Sequence, residues 1–264
     1  MEVLDYGVCR LAVVPVRKDA SDRSEQISQL LFGDHYEVTT QSGDGTWLYI
    51  RIFTDKYEGW IDTKLHHAIS GEYFEQINNA NFKITTDITS GLLYKKSPLT
   101  ILMGSIVPIS NSELFKMEEQ FAFNGESKSL GQRRDFEYLR SIAIKYLNSP
   151  YQWGGKNPFG IDCSGFTQMV FKICGYFIPR DAYQQATVGV NVDGWESSMP
   201  GDLAFFTNKD GSISHVGIIL EENRIIHSSG KVRIDVLHED GIINTETKIF
   251  THTLYKITRI LQGE

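Results

Sequence analysis

The stretch "GIDCSGFTQMVF" places Cys163 between an acid and a serine, just ahead of an apolar run. Its pattern predicts a helix that begins at or near the cysteine. The first turn of a helix offers unpartnered N–H groups and the positive end of the helix dipole. A thiol there can ionise below its ordinary pKa of about 8.5, and the thiolate is a nucleophile. The same N–H groups can hold an oxyanion. Such a cysteine needs a base, and two histidines are suitably placed. His215 lies in "ISHVGII" and His227 in "RIIHSSG", runs that read as adjacent antiparallel strands. One imidazole would pair with the sulfur and the other would orient it. Each residue also has a plain structural reading. A lone cysteine is commonly a small buried apolar residue, as Cys9 and Cys174 are expected to be. A lone strand histidine is more often structural than catalytic. The combination, not any single residue, points to nucleophilic chemistry.

The elements that must position these groups follow from periodicity. Residues 1–67 read as short strands: "CRLAVVPVR" is rich in branched apolar residues, and "HYEVTT", "TWLYIRIF" and "EGWIDTKL" alternate apolar and polar. "GDGT" and "TDKYEG" supply turns between them. Short, closely spaced strands predict a small barrel. Residues 68–127 repeat the theme more weakly in "NFKITTD", "LLYKKS", "TILMGSIVPIS" and "EQFAFNG", which suggests a second, degenerate barrel. From residue 128 the period changes. Phe136, Leu139, Ile142, Ala143, Tyr146 and Leu147 recur at helical spacing, and Pro150 bounds that element. A loop, "YQWGGKNPFGID", leads into the cysteine helix, which carries Phe166, Val170 and Cys174 on one stripe and closes at Gly175. "GDLAFFT", "SHVGIILEE", "RIIHSSG" and "VRIDVL" then read as strands. Helices followed by strands predict an α+β domain with an antiparallel sheet over residues 128–264.

Composition sets limits on partners. The chain has 264 residues, enough for more than one domain, and its 41% hydrophobic and 22% charged residues are those of a globular protein. The net charge of −7 disfavours nucleic acid or an anionic membrane as partner. No run approaches the roughly 18 apolar residues of a membrane span. The opening "MEVLDYGVCRLAVVPVRKD" carries Glu2 and Asp5 where an export signal has basic residues, so a cytoplasmic location is expected. Three cysteines without a CxxC pair argue against a disulfide framework and against a structural zinc site. Neither metal nor organic cofactor is expected.

In order along residues 135–235, "YQWGG", "NPFGIDCSGFTQMVF", "RDAYQQ", "PGDLAFF", "SHVGIIL" and "IIHSSG" resemble the NlpC/P60 family of cell-wall cysteine peptidases. "VVPVRKDASDRSEQISQLLFGD" and "YEGWID" resemble the bacterial SH3 domain found before such catalytic domains, and the 68–127 region is similar to a second SH3 module of some relatives. The resemblance implies a papain-like catalytic domain behind one or two SH3-like barrels. It implies Cys163 as nucleophile, His215 as base and His227 as the polar third member. It places Tyr151, Asp162, Ser164, Arg180 and Asp181 near the substrate.

Within that family, the SH3-bearing architecture resembles γ-D-glutamyl-L-diamino acid endopeptidases, which cut short murein peptides with a free N-terminal L-Ala. Asp162 and Asp181 are then expected to meet the peptide's ammonium, with Glu58 and Tyr94 supplied by the SH3 region. The implied partner is the stem peptide L-Ala-γ-D-Glu-diamino acid, released for recycling. The same scaffold also supports an amidase, an endopeptidase on intact wall or an acyltransferase. A non-catalytic peptidoglycan-binding protein is the alternative of a different class. The sequence leaves the diamino acid and the oligomeric state open.

Overall fold

A computed structural model describes residues 2–79, 82–107 and 121–261. The chain separates into two compact units, Met1–Gln132 and Arg133–Glu264, dividing a few residues after the change of period expected at 128.

In the first unit, strands alternate as their sequences predict. Val14 and Val16 of Val13–Arg17 are buried, as are Leu48, Ile50 and Ile52 of Trp47–Ile52. Among the described residues an antiparallel sheet runs in the order Gln26–Leu31, Val13–Arg17, Glu58–Asp62, Trp47–Ile52, His35–Gln41, Asp5–Val8 and Ala68–Ile69. It wraps Cys9, Val14, Val16, Leu30, Tyr36 and Ile61 into an SH3-like core. The region after residue 67 departs from the expected run of strands. After Ala68–Ile69, which joins the first sheet, comes a helix, Gly71–Asn79, and the described strands that follow it form two three-stranded sheets. Phe32, from the first barrel's sequence, is buried with Leu92, Ile101 and Val107 of the second segment. The expected strands "TILMGSIVPIS" and "EQFAFNG" lie outside the described residues beyond Val107 and before Phe121.

The second unit holds the predicted helices. Asp135 caps Phe136–Lys145 by accepting from the Tyr138 N–H at 3.0 Å, and Leu139, Ile142 and Ala143 face inward. The next helix, Cys163–Ile173, is buried at every residue, including Thr167, Gln168 and Lys172. The sheet carries strands beyond those expected, Val190–Asn191 and Gly241–Ile243 among them. The strand Phe250–Arg259, which the sequence reading did not identify, pairs with both Leu203–Thr207 and Gly241–Ile243. The order Leu203–Thr207, Ile213–Leu220, Arg224–Ser229, Lys231–His238, Gly241–Ile243, Phe250–Arg259 therefore closes on itself. Closure pairs the strand edges that an open sheet would expose. Ala204, Phe206, Ile219, Ile225, Leu237, Ile242 and Ile257 fill the interior. Among the described residues no helix is long and apolar enough to cross a membrane.

Candidate active site

Cys163 is the first residue of its helix, and Asp162 is the N-cap, accepting from the Gly165 N–H at 2.7 Å. Gly165 has no room for a side chain, because a Cβ there would overlap the Gly155 carbonyl. The "GG" of the loop and the "CSG" of the helix start are thus one packing contact. Gly154 donates its N–H to Asp162 Oδ2 at 2.8 Å, and Ser228 Oγ donates to the Ile161 carbonyl at 2.8 Å. Those bonds tie the loop before the nucleophile to the strand that carries His227.

The strands bring the histidines together. Gly217 lies opposite His227 across the ladder. A Cβ at Gly217 would sit 2.7 Å from Ile225 Cδ1 and 2.9 Å from His227 Cβ, so glycine makes space for the imidazole. His215 Nε2 and His227 Nδ1 are 2.7 Å apart. The Val216 N–H, next along the strand from His215, hydrogen-bonds to the sulfur of Cys163. The three candidate residues, Cys163, His215 and His227, are thereby brought together by one helix start and two neighbouring strands.

Side-chain alternation extends the cluster. Ile219, Ile225 and Leu237 point into the barrel, and the period of two puts His215, His227 and Asp235 on the same interior face. His227 Nε2 lies 3.0 Å from Asp235 Oδ2. His252, on the closing strand, stacks on His215 with ring centroids 4.2 Å apart and 26° between planes. The motifs of the sequence single out neither His252 nor Asp235. "VRIDVL" did carry a signal, since an acid two residues before an inward Leu237 shares its face. His252 carried none, because the closing strand was not recognised.

The electrostatics differ from the expectation of a lowered thiol pKa. Burial pushes the Cys163 thiol up to about 12, with the Asp162 charge adding to it. Hydrogen bonds from Val216 and Ser164 and the charge of Arg180 oppose this without reversing it. His215 is held well below the ordinary histidine value by burial, then by His227 and His252. Burial likewise lowers His252 to about 4, with His227 adding and Asp235 opposing. Both shifts favour a neutral thiol and a neutral imidazole over an ion pair. Burial works against ionised Asp235, yet hydrogen bonds from His227, Thr245 and Arg233 hold it well below the usual carboxylate range.

The other expected site residues divide. Tyr151 is 37% exposed, and burial, followed by the nearby charges of Cys163 and Asp162, raises its phenol well above the ordinary tyrosine value. It remains a hydroxyl donor at neutral pH. Asp162 does not offer a carboxylate to a substrate ammonium. It is 4% exposed, and Arg180 occupies both its oxygens, Nη1 to Oδ1 at 3.0 Å and Nη2 to Oδ2 at 2.6 Å. Arg180 is itself 1% exposed and also donates to Ser164 Oγ at 2.9 Å, so it and Ser164 support the helix start from within. Asp181 caps the short helix Ala182–Gln185, where its N–H donates to Gln184 Oε1 at 3.2 Å, and is half-buried. Gln185, unremarked in the sequence, donates to the Ser164 and Pro179 carbonyls at 2.9 Å and accepts from Thr167.

Glu58 and Tyr94 belong to the first unit. Glu58 accepts from the Tyr49 hydroxyl at 3.3 Å, and Tyr94 packs on the Phe32–Leu92 cluster with the Lys95 ammonium over its ring. Among the described residues, the donors close enough to share a metal are His238, Glu239 and Asp240, all exposed and separate from this site.

Comparison with known proteins fits this geometry. Residues 148–251 match the NlpC/P60 family, and residues 16–64 match the bacterial dipeptidyl-peptidase SH3 domain. The chain is 28% identical over 220 residues to a γ-D-glutamyl-L-lysine dipeptidyl-peptidase of Bacillus subtilis, covering 76% of this chain and 71% of that protein. It is 39% identical over 100 residues to a probable endopeptidase p60 of Listeria seeligeri, covering 38% of this chain and 19% of that protein. In fold it is similar to an NlpC/P60 family protein from Bacillus cereus, with a TM-score of 0.76 at 20% identity over 96% of this chain and 99% of that one.

Proposed function

Because this chain is an NlpC/P60 cysteine peptidase carrying a bacterial SH3 domain, we propose that it hydrolyses the γ-D-glutamyl-diamino acid bond of short murein peptides with a free N-terminal L-Ala. One observation carries the choice of substrate. Similarity to the γ-D-glutamyl-L-lysine dipeptidyl-peptidase extends across 76% of the chain, whereas similarity to the p60 endopeptidase is confined to 38% of it. The region beyond the catalytic domain is thus of the dipeptidyl-peptidase kind. Recycling of such peptides in the cytoplasm is part of the same proposal.

The chemistry follows from the site. As the γ-glutamyl carbonyl settles beside Cys163, the sulfur attacks its carbon while the thiol proton passes to His215. A neutral thiol of raised pKa needs this transfer at the moment of attack. The carbonyl oxygen becomes an oxyanion, which the N–H groups of the helix start and the Tyr151 hydroxyl can hold. His215 then gives its proton to the diamino acid's nitrogen, the C–N bond breaks and the amine leaves. Water attacks the thioester, His215 takes its proton, and the sulfur departs as the acid product forms, regaining its proton from His215.

Defined peptides test the substrate. Incubation with L-Ala-γ-D-Glu-diaminopimelate and its lysine counterpart should release L-Ala-γ-D-Glu, and Cys163→Ala should release none. Acetylating the substrate's N-terminus should abolish cleavage. Equal cleavage of the acetylated peptide, or preference for insoluble wall, would refute the reading.

A further inference from the structure

We infer that Asp235 is a positioning residue that fixes the protons of His227 and His215, so that His215 presents a lone pair on Nδ1 as the base. The inference rests on the hydrolytic reading of this site but not on the choice of substrate.

A carboxylate only accepts hydrogen bonds. His227 must therefore donate its Nε2–H to Asp235 Oδ2, at 3.0 Å. In a neutral His227 ring that leaves Nδ1 as an acceptor, and its 2.7 Å partner, His215 Nε2, carries the proton between them. His215 Nδ1 is then the unprotonated nitrogen of the base. One carboxylate, two residues removed from the sulfur's partner, sets both tautomers.

Asp235 is built to stay an acceptor. Its Oδ1 takes the Thr245 N–H at 2.9 Å, the Thr245 hydroxyl at 2.7 Å and Arg233 Nη2 at 3.1 Å. Its Oδ2, beside His227, lies 2.9 Å from Arg233 Nε as an ion pair. The carboxylate is 1% exposed, so water does not substitute for these partners. Among the described residues, the titratable and charged groups set against the His215–His227 pair include His252 on the closing strand and Asp235 and Arg233 on the strand beside His227. Among these, Asp235 is the acceptor placed on His227 Nε2.

The same contacts say what an amide would do. In Asp235→Asn, the oxygen is favoured at the Oδ1 position, where three donors converge. Its NH2 then faces His227 Nε2, which must accept. Both imidazoles reverse, and His215 turns an N–H where its lone pair was.

Two measurements test this. The first uses imidazole nitrogen shifts of the unaltered 264-residue chain by NMR, which need neither substrate nor turnover. Protons on Nε2 of both His215 and His227 are expected, and a proton on Nδ1 of either ring in the neutral state would overturn the inference. The second compares Asp235→Asn with the parent. A fall in kcat of about a hundredfold to ten-thousandfold is expected, with KM little changed and both tautomers reversed. A folded Asp235→Asn with unchanged tautomers and unchanged kcat would overturn it too. Failure of the murein peptide as substrate would leave the tautomer result standing, so the two readings fail separately.

Discussion

Arg180 grips both carboxylate oxygens of Asp162, the residue immediately before the nucleophile, and with the same Nη1 reaches the hydroxyl of Ser164, the residue immediately after it. Cys163 is thus held from both sides by one buried guanidinium. Removing one partner of a buried pair leaves the other charge uncompensated, which costs about 3–5 kcal/mol. Arg180→Ala should lose stability on that scale in denaturant unfolding. Arg180→Lys should recover only part of it, because an ammonium does not reproduce the two-pronged geometry. A loss under about 1 kcal/mol, the scale of a surface pair, would contradict the assigned role.

The raised thiol pKa has a direct kinetic reading. With Cys163 near 12, the thiolate fraction at pH 7 is small and grows about tenfold per pH unit. Alkylation of Cys163 by iodoacetamide, without substrate, should keep accelerating from pH 7 to pH 10. A rate already level by pH 7 would mean that the resting sulfur is ionised.

His252 links the site to acid stability. Its folded pKa, about 4, lies below the ordinary value of 6.5. Between those values the unfolded chain binds the proton and the folded chain does not, so stability falls as pH drops through that window. The one-proton limit is about 1.4 kcal/mol per pH unit, and partial exposure of the ring reduces it. His252→Gln should flatten the decline measured by denaturant unfolding between pH 6.5 and pH 4. Identical slopes for variant and parent would count against this origin.

Gly217 is the steric complement of His227. Gly217→Ala places a methyl 2.9 Å from His227 Cβ and 2.7 Å from Ile225 Cδ1. Overpacking of this kind costs typically about 1–3 kcal/mol, and here part of the strain falls on the His215–His227 contact. Steady-state kinetics should show kcat falling more than KM rises. Unaltered kcat in a folded variant would mean that the strands absorb the methyl without moving the imidazole.

Much of the site could be read before the fold was known. Cys163 heads a helix because Asp162 is a capping residue followed by an apolar run, and both are local signals. His215 and His227 lie on neighbouring strands because two β-rich runs are joined by a short turn. Asp162, by contrast, was read as a partner for substrate, since its link to Arg180 spans 18 positions of sequence. The helix Gly71–Asn79 was missed because it stands in a segment otherwise made of strands.

What the sequence determined by itself is the set of short-range facts: the caps, the turns, the period of each element, and hence the nucleophile's place at a helix start. These depend on residues a few positions apart, where propensity and patterning act. What only the tertiary structure decided is how distant groups share one dielectric and one hydrogen-bond chain. Closure by Phe250–Arg259 stacks His252 on His215, and the inward face of Lys231–His238 sets Asp235 behind His227. Burial then favours a neutral thiol where the helix start alone favours a thiolate. Desolvation and long-range pairing have no local signature, so the charge state of the site could be settled only once the chain had folded around it.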